Sequence, residues 1–264
     1  MIAVVVLTHD RVHLLRQCVE KVLARASELT TEIVIWNNGS ADGTADYLDA
    51  LDDPRIRVVQ HPDNIGQNAY AEAFRLTTAP YMLELDDDMI DAPAEWDRSL
   101  LEAFERLPQI GFLAANLVDN PHDQAAKVMY HERPHLYSTV VENGVTLVRG
   151  PVGGGCALTS RELHDRVGGF RQQRDEVFWL EDEAYIADIE KLGYGAAYLK
   201  DVQLLHAGGS YYAPESEAKH AYWQRYWQRE IRKNSIKRLL LRIPFVRPLN
   251  DRYGWFHVSD APEL

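Results

Sequence analysis

The chain has 264 residues, 46% hydrophobic and 26% charged, with a formal net charge of -12. This composition fits a soluble globular protein with a sizeable core. The acidic balance argues against nucleic acid as a partner of the body, and no run of about 18 apolar residues offers a membrane-spanning helix. The charge is uneven. From Lys219 onward ten Lys/Arg stand against four Asp/Glu, and the first 218 residues carry 18 against 36.

In chain order, "IAVVVLT" (2–8) is a β-branched run expected to form a strand buried on both faces. The N-terminus "MIAVVVLTHD" lacks a basic leader and a cleavage site, so it reads as this strand and not as a signal peptide. "RVHLLRQCVEKVLARAS" follows with Leu14, Leu15, Cys18, Val19, Val22 and Leu23 at helical spacing. Cys18 falls on the apolar face, which favours a buried thiol in a reducing compartment over a disulfide with Cys156. "EIVIWN" (32–37) and "RIRVVQ" (55–60) are further strands. Between them "GSADGT" is a turn in which Ser40 or Asp42 can cap a short helix. A helix around 67–78 precedes the strand "YMLEL" (81–85), and another around 95–107 leads to "IGFLAA" (110–115). Strand–helix alternation implies a mostly parallel sheet, with ligands at the carboxyl ends of its strands. Thr8, Asn37, Asn38 and Asp86–Asp88 fall at such ends.

The second half is less regular. Residues 116–150 read as loop and short strands, and "GPVGGGCALTS" (150–160) as a glycine-rich turn before a short helix. "WLEDEAYIADIEKLGYG" (179–195) is a helix with an acidic first turn and a glycine stop. "AAYLKDVQLLHAGGS" reads as short strands ending at His206. A basic, aromatic helix is expected from about 215 to 242. The expected division is a body over 1–214 and a basic amphipathic helix and tail over 215–264. Such a helix, carrying Trp223, Tyr226 and Trp227, suits either an anionic membrane surface or packing on an acidic body or partner subunit.

The densest chemical signal is "YMLELDDDMI" (81–90), an apolar run ending in three adjacent carboxylates. Asp86 and Asp88, alternate on an extended segment, can face one cation. Mg²⁺ or Mn²⁺ suits such oxygen ligands, completed by phosphate and water. A solvated loop of capping aspartates is the plainer account of an Asp-rich tripeptide, and the preceding strand weighs against it.

Seven stretches in order, "VVVLTHDR", "IVIWNNGSADGT", "DNIG", "YMLELDDDMI", "GGGCALTSRELHDRVGGF", "FWLEDEAYIADIEKLGYGAAYL" and "LLHAGG", resemble the inverting glycosyltransferases of family 2. The resemblance spans roughly residues 2–210. It implies an α/β fold of the GT-A type, a Rossmann-like central sheet flanked by helices, here with a C-terminal helical extension. It further implies transfer of a sugar from a nucleotide-diphosphate sugar donor to a saccharide or lipid-linked acceptor, in surface polysaccharide or glycoconjugate synthesis. The expected location is the cytoplasm, where the basic C-terminal helix can bring the chain to the inner face of the membrane. Asp86 and Asp88 match the Asp-x-Asp pair that holds Mn²⁺ or Mg²⁺, and His206 matches a histidine that completes the metal shell. Asp182 matches the catalytic base, although Glu181, Asp182 and Glu183 also suit a first helical turn through the macrodipole. Thr8, Arg11, Asn37, Asn38, Asn64, Gly66 and Asp87 fall on the nucleotide side. Gly153, Gly154, Gly155, Trp179 and Glu181 fall on the sugar or acceptor side, with core packing the plainer role for Trp179. Asn37–Asn38 replaces a pair that commonly includes an acid, which leaves the base open among UDP, dTDP and GDP. A basic residue usual after "NIG" is missing.

Three other functions share parts of this pattern. A sugar-nucleotide nucleotidyltransferase would usually carry a glycine- and Lys/Arg-rich loop after its first strand, and "THDRVHLL" has no glycine. A haloacid-dehalogenase-type phosphatase would place Asp-x-Asp after the first strand. A non-catalytic nucleotide-sugar-binding module would need no base.

Overall fold

The computed structural model describes residues 1–119, 134–173, 178–207 and 217–253. The proposed boundary at 214–215, the two glycines of "LLHAGG", the side chains of Trp223, Tyr226 and Trp227, and residues 254–264 lie outside the described residues. The chain divides into two compact units, Met1–Glu215 and Ser216–Leu264.

The first unit is built on one mixed sheet, of which ten strands are described, ordered β3-β2-β1-β4-β9-β6-β10-β8-β7 with β5 on β10. Strands β1 (Ile2–Thr8), β2 (Thr30–Asn38), β3 (Ile56–His61) and β4 (Tyr81–Asp86) are mutually parallel. β9 (Cys156–Ser160) runs antiparallel between β4 and β6 (Ile110–Asp119), and β10 (Gly195–His206) pairs parallel with β6. The edge is an antiparallel meander of β7 (Ser138–Glu142) and β8 (Val145–Arg149), and β5 (Met89–Asp91) pairs antiparallel with β10. Seven of the ten strands therefore point one way, as expected from the strand–helix alternation.

Helices cover both faces. On one face α1 (Val12–Gln17), continued by a π turn over Cys18–Val22, packs with α4 (Trp96–Glu105) around Leu15, Cys18, Trp96 and Leu100. On the other, α3 (Asn68–Ala73), α5 (Arg161–Val167) and α6 (Glu181–Glu190) enclose Tyr70, Phe74, Phe112, Phe170 and Tyr185. Short α2 (Thr44–Asp49) follows the β2 loop. Both cysteines are buried free thiols.

Two local readings change. "CALTS" is a strand and not part of a turn. It lies buried between two parallel neighbours, and its Ser160 hydroxyl caps α5 by accepting the Leu163 N–H at 3.2 Å. The short strands expected before His206 are one strand whose register shifts between Leu199 and Gln203. The neighbour order reverses at β1, between β2 and β4. That opens a crevice beyond their carboxyl ends, where polar loops gather.

The second unit contains α7 (Glu217–Leu240) and α8 (Val246–Tyr253). No described helix is long and apolar enough to cross a membrane.

Candidate active site

The loops after β1 and β2 lace together and fix the first wall of the crevice. Asp10 takes a left-handed φ of 52°. Its N–H donates to Ser40 Oγ (3.0 Å), and its carboxylate accepts the Ala41 N–H (2.6 Å). Asp42 accepts the Val12 N–H at 2.9 Å, which starts α1, while its other oxygen accepts from Thr44. Between these anchors stands Arg11, whose Nη1 reaches Asp87 Oδ1 at 3.0 Å and Asp88 Oδ2 at 3.3 Å.

Asn37 and Asn38 are both buried. Asn38 donates to Asn64 Oδ1 and the Gly66 carbonyl, and its oxygen accepts the Ile65 N–H. Asn37 donates to Gln60 Oε1 at 2.7 Å and accepts the Ser40 N–H at 3.1 Å. Asn37 thus braces the 38–40 turn and Asn38 the 64–66 loop. Gly39, at φ 71°, lies so close to that second loop that a Cβ would sit 2.7 Å from the Asp63 carbonyl carbon.

The acids lie opposite. β4 ends at Asp86, and the chain turns at Asp87–Asp88 before β5, so the strand alternation expected to align Asp86 with Asp88 is absent. Tertiary contacts bring the groups together instead. Tyr70 donates its hydroxyl to Asp86 Oδ1 at 3.1 Å. His206, at the end of β10, places Nε2 3.6 Å from Asp88 Oδ2, and the Ala207 N–H binds the Asp88 carbonyl at 2.9 Å.

Burial lifts the Asp86 carboxyl to about 6, with Asp88 adding to the rise and His206, Arg11 and Tyr70 opposing it. Burial also lifts Asp87 to about 7, against Arg11 and the Thr8 hydroxyl. Among the described residues, Arg11 and His206 are basic groups that approach these acids. The donor set of Asp86, Asp88 and His206 suits Mn²⁺ or Mg²⁺ with positions open to phosphate and water. Among the described residues no three such side chains form a ready-made cage.

A glycine loop joins the acids to α6. The Gly155 carbonyl accepts the Asp86 N–H at 2.9 Å, and a Cβ on Gly155 would lie 3.3 Å from Asp86 Oδ2. Gly154 donates its N–H to Asp182 Oδ2 at 2.8 Å, and Gly153 donates to the Tyr198 hydroxyl at 2.9 Å. Asp182 Oδ1 also accepts the Glu183 N–H at 2.7 Å. Burial raises the Asp182 carboxyl above its usual range, and these N–H donors hold the rise down. The three first-turn acids are therefore distinct: Glu181 is buried, Asp182 is anchored to Gly154, and Glu183 is exposed. Trp179 is 3% exposed, so its ring belongs to the packed interior.

Sequence reasoning missed Glu84. It lies in the middle of β4, is 2% exposed, and leaves Oε2 without a hydrogen bond. Burial, then Glu181 and Asp182, push its carboxyl well above the usual range. The signal was one acid inside an apolar strand. Tyr70, which supports Asp86, resembled any aromatic on a helix face.

A family model described as "Glycosyl transferase family 2" matches residues 3–168. Among solved structures, a mannosyltransferase (PcManGT) of Pyrobaculum calidifontis, in complex with GDP-Man and Mn²⁺, aligns with a TM-score of 0.58 and 22% identity. That alignment covers 86% of this chain and 61% of the other. S. aureus TarS 1-349, in complex with UDP-GlcNAc, aligns with a TM-score of 0.59 and 13% identity over 87% and 65%. GalNAc-T7, with UDP, GalNAc and Mn²⁺, gives 0.57 and 16% over 79% and 44%. The chain spans less than two thirds of each of these proteins. No curated protein sequence matches it.

Proposed function

Because the chain belongs to glycosyltransferase family 2, we propose that it moves one sugar, with inversion, from a nucleoside-diphosphate donor to a hydroxyl of a saccharide or lipid-linked acceptor. The observation that carries this reading is the Gly153–Gly155 loop, which touches Asp86 through Gly155 and Asp182 through Gly154. A diphosphate site and a proton acceptor then lie on two sides of one short segment. The family match ends before Asp182 and His206, so their roles rest on this geometry.

Thr8, Arg11 and the loops braced by Asn37, Asn38 and Asn64 receive the nucleotide, with Arg11 released from Asp87 and Asp88 to meet phosphate. Asp86, Asp88 and His206 would hold Mn²⁺ or Mg²⁺, and the ion would supply Lewis-acid stabilisation of charge on the leaving diphosphate. Asp182 takes the acceptor proton, its raised pKa bringing it closer to the basicity that general-base catalysis favours. Gly154 orients that carboxylate, and Glu181 borders the acceptor. Attack from the face opposite the leaving group inverts the anomeric centre.

The acceptor belongs to surface polysaccharide or glycoconjugate synthesis, and the protein works on the cytoplasmic side, peripheral to the inner face of the membrane. The free thiols and the basic C-terminal unit support that placement. The test is a screen of nucleotide sugars with Mn²⁺ and a panel of acceptors, read by released nucleoside diphosphate. One donor should turn over only with an acceptor. Pyrophosphate release from nucleoside triphosphate and sugar phosphate would instead mark a nucleotidyltransferase, and binding without turnover a binding module.

A further inference from the structure

The second unit contrasts with the acidic first one. Spacings of four, three, four and three residues put Arg225, Arg229, Arg232, Ile236 and Leu239 on one face of α7. Cations occur on other faces as well, so α7 is not amphipathic along its whole length. Apolar exposure gathers at the corner between α7 and α8, where Leu239 is 64% and Phe245 69% exposed, with Ile236 and Leu249 also exposed. Arg238, Arg242 and Arg247 are exposed among them.

We propose that this corner, Ile236–Leu249, is a contact surface for an anionic lipid bilayer, deepening the reading of an acceptor met at a membrane. Here each exposed apolar side chain stands within three residues of an exposed arginine. That mixture suits a headgroup layer, in which guanidinium groups meet lipid phosphates while Leu239 and Phe245 enter the acyl boundary. The formal charge from Lys219 onward is opposite in sign to the lipid, whereas the first 218 residues, with 36 acids against 18 bases, are repelled by it. Each basic residue near an anionic surface strengthens partitioning roughly fivefold.

The full chain should cosediment with phosphatidylcholine vesicles containing phosphatidylglycerol at low salt, and salt should release it. Arg238→Glu/Arg242→Glu/Arg247→Glu, and separately Leu239→Ser/Phe245→Ser, should each cut the bound fraction about tenfold or more. Both should leave helix content and turnover with a soluble acceptor unchanged. Absence of binding by the parent chain, or equal binding to neutral vesicles, overturns the proposal without needing a variant. Variants that keep vesicle binding but change the mass in solution would assign the corner to a subunit contact. Turnover with a soluble acceptor is read separately, so failure of the lipid contact is distinct from failure of the transferase reading.

Discussion

Gly154 shows how little freedom single residues have in this site. A Cβ there would fall 1.5 Å from Glu84 Oε1 and 3.3 Å from the Asp182 Cβ, so only glycine lets the loop cross between them. Gly154→Ala should destabilise the protein by about 1–3 kcal/mol through overpacking and slow transfer by displacing the Asp182 anchor. Glu84→Ala in that background should restore part of the unfolding midpoint, because it removes the clashing oxygen. No gain in thermal melts of the double variant would refute this account of the glycine. Asp182→Asn should retain donor affinity and lower turnover by about 10²–10⁴-fold. Glu183→Gln, at an exposed position, should leave turnover nearly unchanged. Transfer at the parent rate by Asp182→Asn would remove it as the base. Asp86–Asp88 stand out in the sequence as acids that end an apolar strand, whereas Arg11, Asp182 and His206 are singled out through the family resemblance. The roles of Asn37 and Asn38 were not legible, since an amide's partners depend on loops 23 to 28 residues away.

Among the elements, the parallel strands and their helices could be read from the chain because runs of buried apolar residues alternate with segments of helical spacing. β9 could not. Its five residues follow three glycines, and only a place between β4 and β6 makes them a strand. The aromatic cluster under α5 and α6 is also a tertiary product. His164 packs there against Phe74, Phe170 and Tyr185, with ring centroids 5.5 to 5.7 Å apart. Burial, then Arg161, lowers its pKa to about 4, against about 6.5 in the unfolded chain. Between those values the unfolded state binds the extra proton. His164 therefore withdraws stability as pH falls from about 6.5 to 4, by on the order of 3 kcal/mol in all. Asp86 and Asp87 have the opposite sign: their raised values contribute stability at low pH that is lost as pH rises through about 6 and 7. The informative quantity is thus the difference between the parent and His164→Phe. Urea midpoints across this window should show the parent losing stability relative to the variant on acidification, and parallel curves would contradict the assignment.

At the scale of the whole molecule, the site gathers Thr8, Arg11, Asp86–Asp88, Gly153–Gly155, Asp182 and His206 from nearly the full length of the first unit. A ligand that bridges them binds the folded chain and not the unfolded one, so it should raise the melting temperature of that unit. At about one hundred times its dissociation constant the gain is near 2.7 kcal/mol. Nucleoside diphosphate with Mn²⁺ should give the full shift, and either alone much less. Asp88→Ala removes one proposed ligand and one unit of charge, so the added effect of Mn²⁺ should vanish while nucleotide alone still gives its small shift. The pH dependence follows from the same carboxyls. Metal binding needs the ligand carboxyls ionised, and burial lifts that of Asp86 to about 6. The Mn²⁺-dependent part of the shift should therefore grow from about pH 5 to 7, with protons released on binding in the lower half of that range. Equal Mn²⁺ enhancement in Asp88→Ala and the parent would show that the ion, if it binds, is held elsewhere.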